Sequence, residues 1–307
     1  MLGLTLDSFL AQDYPAGYEI IVVDNNSTDD TQQIIAEYLK YKNIKTFIEY
    51  RQGVHYARNS AAKIAQGNLL YYTDDDMLAD KSLLRNLVQV FLENPIVASA
   101  SGKILPKWEV EPPRWVKANL NNYLLSLNDL GDDTIIRDKD FCVYSCHQMI
   151  RADVFSSTGG FHPENTAGKW IGDGETGLNL EIQAQGYKFA YVGASVIWHM
   201  IPPARMTQEY LNKRLINQGN SDSYTNYRKY RYSQACLLGE TLKHTYLGIK
   251  KFVYFVAYCL KHGCCKWETR ATKAWTNYHI ARVKYNLRLF FSYGLRQLVL
   301  KKSYHDD

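Results

Sequence analysis

Carboxylates are scarce in the last third of this 307-residue chain. Only 6 of the 31 Asp and Glu lie after residue 208, against 18 of the 36 Lys and Arg. The two parts therefore carry formal charges of about −7 and +12, and half of the 24 tyrosines fall in the basic part. That composition suits an anionic surface, and a solvated helical face is the plain alternative. No recognition motif for nucleic acid accompanies the charge, so nucleic acid is not expected as a partner. Cysteines number six, at 142, 146, 236, 259, 264 and 265. They show neither a disulfide framework nor two separated CxxC pairs, which excludes a disulfide-stapled secreted domain and leaves reduced thiols. Long apolar runs are also missing. The longest, FVYFVAYCL at 252–260, falls well short of the roughly 20 residues a spanning helix needs, although it could lie in an interface. No basic segment followed by an apolar stretch opens the chain, so no signal peptide is visible. A cytoplasmic location is expected, with peripheral docking on the inner face of the membrane open to the basic part.

The first two hundred residues alternate in hydrophobic period. LTLDSFLAQ reads as a helix, YEIIVVDN as a buried β-branched strand, and TDDTQQIIAEYLKYK as a helix entered through Ser27 or Thr28. IKTFIEY, HYARNSAAKIAQ, NLLYYTDDD and SLLRNLVQVFLEN continue as strand, helix, strand and helix, the last ended by Pro95. Such alternation predicts an α/β fold: a mostly parallel twisted sheet with helices on both faces, whose ligands sit at the carboxyl ends of the strands. Two strands end in acid, one at Asp24 and one at Asp74, Asp75 and Asp76. Three adjacent carboxylates repel unless a cation or a set of donors neutralises them. For Asp24 alone, an Asx turn or helix cap explains the residue as well.

Taken together, AQDYPAGYEIIVVDNNSTDDT (11–31), RQGVHYARNSAAKIAQGNLLYYTDDDM (51–77), RADVFSSTGGFHPEN (151–165) and GDGETGLNLEIQAQGYKFAYVGASVIWH (172–199) resemble the family 2 glycosyltransferases. These are inverting enzymes with a nucleotide-sugar-binding GT-A fold, and the likeness covers about two thirds of the chain. It implies a donor pocket containing Asp24 and Asn26, with Gly53, Arg58 and Asn59 at a helix start that closes it. Asp74 and Asp76 match the DXD pair. The resemblance thus implies Mn2+ or Mg2+, with Asp76 as direct ligand, Asp74 nearer the ribose and also in the metal set, Asp75 as their neighbour, and His199 closing the metal site. Arg205, after IPPA, would clamp the diphosphate, and Trp170 and Trp198 would stack on sugar or pack in the core. The base that takes the acceptor proton is implied in GDGETGL, at Glu175 or, second, at Asp173, since Gly174 stands where relatives carry another acid. Relatives also begin with a strand of the form V-S-V-I-P-T-Y-N, whereas this sequence opens at the following helix; the resemblance implies a start placed too late or a truncated relative.

The expected organisation is a catalytic domain at 1–208 and a basic, Tyr-rich helical extension at 209–307, made of a helix pair over YLNKRLINQGNSDSYTNYRKYRYSQ and a short amphipathic helix over LGIKKFVYFVAYCLKHGCCKW. The extension could touch an anionic membrane or coat the catalytic domain. The implied activity is metal-dependent, inverting transfer of a sugar from a nucleoside-diphosphate sugar to a hydroxyl acceptor, a glycan or lipid-linked glycan of cell-surface polysaccharide or glycolipid synthesis. Two alternatives belong to other classes: a truncated, inactive binding module, excluded by turnover, and a sugar-1-phosphate nucleotidyltransferase, whose glycine-rich loop is absent.

Overall fold

The computed structural model describes residues 1–117, 125–139, 143–162, 173–264 and 266–304. Cys142, Cys265 and Trp170 lie outside the described residues. Cys146, Cys236, Cys259 and Cys264 are free thiols.

Helix α1 (Leu2–Leu10) precedes β1 (Ile20–Asp24), α2 (Thr31–Tyr38), β2 (Ile44–Ile48), α3 (Val54–Ile64), β3 (Leu69–Thr73), β4 (Met77–Ala79), α4 (Leu83–Glu93) and β5 (Val97–Trp108). A short α5 (Arg114–Lys117), β6 (Thr134–Arg137), β7 (His147–Arg151), α6 (Ala152–Ser157), α7 (Gly174–Ala184) and β8 (Lys188–Ile201) complete the α/β part. A 3-10 turn (Pro203–Met206) leads into α8 (Gln208–Tyr230), α9 (Gln234–His262), α10 (Trp267–Phe291) and α11 (Tyr293–Val299).

The α/β class is as the periodicity predicts, but the sheet is mixed rather than mostly parallel. Strands β3, β7, β5, β8 and β4 lie in that order, with β6 also on β8. Only β5 and β8 run parallel there; β3 with β7, β5 with β7, and β4 and β6 with β8 are antiparallel. Strands β1 and β2 form a separate parallel pair. Among the strands missing from the sequence reading, β5 and β7 are buried without alternation because helices cover both faces, so period 2 is absent from them.

Helix α4 shows how the core forms. Its Leu83, Leu84, Leu87, Val90 and Phe91 fall on one face at helical spacing and are buried with Val97, Ala100 and Ile197 of the central strands. Each such side chain contributes about 1.5–3 kcal/mol on burial. Helix α2 starts later than expected, at Thr31, because the Ser27 N–H is taken by the Asp24 carboxylate in a turn instead of opening the helix.

Two registers position the site. Met77 of β4 pairs with His199 of β8, and the Met200 N–H donates to the Asp76 carbonyl at 2.8 Å, so Asp76 lies beside His199. Thr73 at the end of β3 pairs with His147 of β7, so Asp74 lies near Ser145. Helix α7 is tied to the sheet by buried Gln148, which donates to Asn179 at 2.8 Å and to Ser99 at 3.0 Å.

The C-terminal part differs from the expected helix pair and short helix. Residues 208–230 form one helix whose Tyr224 and Tyr227 are buried with Tyr285, Leu289 and Leu237. The chain leaves it through Arg231 in the left-handed region (φ 47°), and Ser233 caps α9 by accepting the Cys236 N–H. Much of the tyrosine in this stretch is thus internal packing.

Candidate active site

At the end of β1, Asp24 is almost fully buried. Its Oδ1 accepts the Ser27 N–H at 2.9 Å and its Oδ2 accepts from Gln32 at 3.0 Å. Burial pushes this carboxyl up, but the hydrogen bonds from Ser27 and Gln32 outweigh it and hold the group below the usual carboxylate range. Asn26 is exposed in the left-handed turn (φ 60°) that follows. Its neighbour Asn25, which sequence reasoning missed, joins three segments: it donates to the carbonyls of Glu49 and Arg51 and accepts the Gly53 N–H at 2.6 Å. Gly53 stands at φ 143°, outside the ordinary range of other residues, and starts α3.

From α3, Arg58 reaches the acidic cluster. It is buried, donates to Asp74 Oδ1 at 2.6 Å and to Ser145 Oγ at 2.7 Å, and lies over the Phe161 ring. Asn59, expected beside it in the donor pocket, instead makes a reciprocal pair with the Phe161 backbone, donating to its carbonyl at 2.7 Å and accepting its N–H at 2.9 Å. Its adjacent position on the helix turns it inward.

Ser145 links this cluster to α7 by donating to Glu175 Oε2 at 3.2 Å. A continuous polar path therefore runs Asp74–Arg58–Ser145–Glu175. Asp173, two residues earlier, points elsewhere. It is buried against His162 (3.0 Å) and Arg228 of α8 (3.2 Å), with Thr225 donating to its second oxygen at 3.4 Å. With both oxygens engaged in the α7–α8 interface, it is not placed beside Glu175. Gly174 between them also has a physical reason: it takes φ 38°, and a Cβ there would stand 2.4 Å from His55 Nε2. Burial, aided by the Arg58 charge, holds His55 well below its ordinary pKa, so the ring is neutral.

On the other side of the triplet, Asp75 is exposed. Asp76 is buried, and Arg205 donates to its Oδ2 at 2.6 Å while His199 Nε2 lies 3.4 Å from the same oxygen. Arg205 also touches His199 Nε2. His199 Nδ1 lies 2.7 Å from the Leu125 carbonyl, which can only accept, so Nδ1 carries a proton and Nε2 is the nitrogen turned toward Asp76. Among the described residues the Asp76 Oδ1, which is buried, has no hydrogen-bond partner. Burial pushes the Asp76 carboxyl up, and the neighbouring His199 and Arg205 pull it below its ordinary value.

An unpartnered buried carboxylate oxygen beside an imidazole nitrogen is a donor set that fits a Mn2+-type ion, with diphosphate oxygens completing the shell. The Asp74 carboxylate, also expected in the metal set, is engaged through Oδ1 by Arg58. Among the described residues no group of three His, Cys, Asp or Glu side chains is placed to hold a metal ion by itself. Trp198 is half-buried on β8.

Residues 1–159, just over half the chain, match the family described as Glycosyl transferase family 2. The chain belongs to this family. Among curated relatives of this family 2 glycosyltransferase, the O-antigen chain rhamnosyltransferase WbaN of Salmonella anatum is 27% identical over 213 residues, 66% of this chain and 63% of the relative. The O-antigen chain rhamnosyltransferase RfbN of Salmonella typhimurium is 30% identical over 192 residues, 59% of this chain and 56% of the relative. The chain thus matches only about 60% of these relatives' lengths. Among solved structures, the mannosyltransferase PcManGT of Pyrobaculum calidifontis, in complex with GDP-Man and Mn2+, superposes with a TM-score of 0.62 at 18% identity, over 93% of this chain and 83% of that one. That likeness establishes the fold.

Proposed function

We propose that this family 2 glycosyltransferase moves a sugar, with inversion, from a nucleoside-diphosphate sugar to a hydroxyl of a glycan or lipid-linked glycan in cell-surface polysaccharide synthesis. The observation that carries the reading is the Asp74–Arg58–Ser145–Glu175 path beside the Asp76–His199–Arg205 group, which joins an acidic cluster to a carboxylate at a helix start. The rhamnosyltransferase relatives and the PcManGT complex support the substrate class.

In this reading residues 1–208 are the catalytic unit and residues 209–307 brace it. Glu175 is the base: it is half-buried, it accepts a hydrogen bond from the Ser145 hydroxyl, and among the described residues no cation pairs with it, so it is available to take a proton from an acceptor. Asp173 is left a structural role by its ion pairs. Asp24, Asn26 and Gly53 shape the end of the nucleotide pocket, and Arg58 holds Asp74 in place. Asp76 and His199 would hold a divalent cation. Such an ion would offset the charge that develops on the leaving nucleoside diphosphate. Arg205, the most exposed member of that group, is within reach of phosphate as well as of Asp76. Peripheral contact with an anionic membrane through the C-terminal helices belongs to the same reading, since lipid-linked acceptors sit there.

The test is donor binding and turnover with two variants. Asp76→Ala is expected to abolish the Mn2+-dependent rise in melting temperature given by UDP, GDP or dTDP. Glu175→Gln is expected to keep that rise and to lower transfer by about 10²–10⁴-fold. Unchanged transfer by Glu175→Gln removes the base assignment.

A further inference from the structure

Helix α9 is packed along only part of its length. Its buried residues, Leu237, Thr241, His244 and Gly248, all lie in its first half. From residue 249 to its end no residue is buried. Along the open side run Leu242, Tyr246, Ile249, Val253, Val256 and Leu260, spaced four, three, four, three and four, each 40 to 84% exposed. At 100° per residue these fall within one apolar stripe about 27 Å long, with Phe252 at its margin. Monomeric proteins seldom leave such a contiguous stripe uncovered.

The charge around the stripe says what covers it. Lys243, Lys250 and Lys261 recur along one flank. No Asp or Glu occurs between residues 241 and 267, and Glu268 is the one acid before 273. A second copy of the chain would set its own lysine row against this one, and Glu240, the acid beside the row, already pairs with Lys243 at 3.0 Å. An anionic bilayer supplies both missing parts: acyl chains for the stripe, and phosphate or carboxylate headgroups for lysines whose stems lie along the apolar boundary. No helix among the described residues is long and apolar enough to cross a membrane.

We propose that the exposed stripe of α9, with its Lys243–Lys250–Lys261 flank, is a docking surface that lies in the interface of an anionic membrane. This goes beyond the transfer reading by assigning the contact to one helix face, and it stands or falls separately, because vesicle binding requires no turnover.

The test is flotation of the full chain with phosphatidylcholine vesicles with and without about 30 mol% phosphatidylglycerol, at low and high salt. The wild type is expected to float with the anionic vesicles at low salt and to be released by salt. The triple variant Val253→Ser, Val256→Ser, Leu260→Ser changes only exposed positions and should melt as the wild type does while partitioning at least about tenfold less. Lys243→Gln, Lys250→Gln, Lys261→Gln should erase the preference for anionic lipid. The proposal is overturned if the wild type ignores anionic vesicles, binds both compositions equally, or loses nothing in the serine variant. It is equally overturned if light scattering shows a dimer that the serine changes dissolve while vesicles stay unbound.

Discussion

Arg205 offers the sharpest test of the metal reading, because its guanidinium stands against the two groups assigned to the cation. It donates to Asp76 at 2.6 Å and touches His199 Nε2, so a cation on those atoms competes with it directly. Replacing it with methionine keeps much of the bulk and removes the charge. Two unit charges about 4 Å apart at an effective dielectric of about 20 interact by about 4 kcal/mol. Arg205 is one-third exposed and regains hydration when displaced, so the net cost of displacing it is nearer that of a charge-assisted hydrogen bond, about 1.5–3 kcal/mol. Arg205→Met should therefore bind Mn2+ about 10- to 100-fold more tightly than the wild type when no nucleotide is present. Electron paramagnetic resonance of free Mn2+ during titration reads this without turnover. With UDP or GDP present the advantage should shrink or reverse, because the variant also lacks a cation to meet the diphosphate. Equal or weaker Mn2+ binding by the nucleotide-free variant would refute the competition and, with it, the placement of the metal on Asp76 and His199.

Two further outcomes concern stability. Arg228→Met leaves the fully buried Asp173 side chain facing His162 without its strong cation, and breaking a buried pair in this way costs about 3–5 kcal/mol; urea unfolding that shows less than about 1 kcal/mol would mean the α7–α8 interface does not depend on this ion pair. Glu49 is held down, to about 2, first by Arg51 hydrogen bonding and then, against its burial, by Ser60. A depressed carboxyl stabilises the fold above its unfolded value near 4.5 and loses that contribution as pH falls toward 2, so the deficit of Glu49→Gln in urea midpoint should be full at pH 7 and shrink below about pH 4.5; a deficit independent of pH would mean that charge is not its source.

By itself the sequence determined the α/β class, the strand ends that carry Asp24 and Asp74–Asp76, and the family. These rest on signals local in the chain: β-branched runs that end in acid, apolar residues at helical spacing, and short motifs whose order persists. What only the tertiary structure decided depends on groups far apart in sequence. Glu175 and Asp173 lie on the same turn, and no local rule separates them; Ser145, itself held by Arg58, meets one, while His162 and Arg228 claim the other. Asn59 and Arg58 are neighbours that serve different ends because the helix turns one toward Phe161 and the other toward Asp74. Asp76 meets His199 through the β4–β8 register and meets Arg205 across 129 residues, while Asp74 is drawn to Arg58. The residue types announced which chemistry was available, and long-range packing settled which carboxylate each cation and hydroxyl would reach.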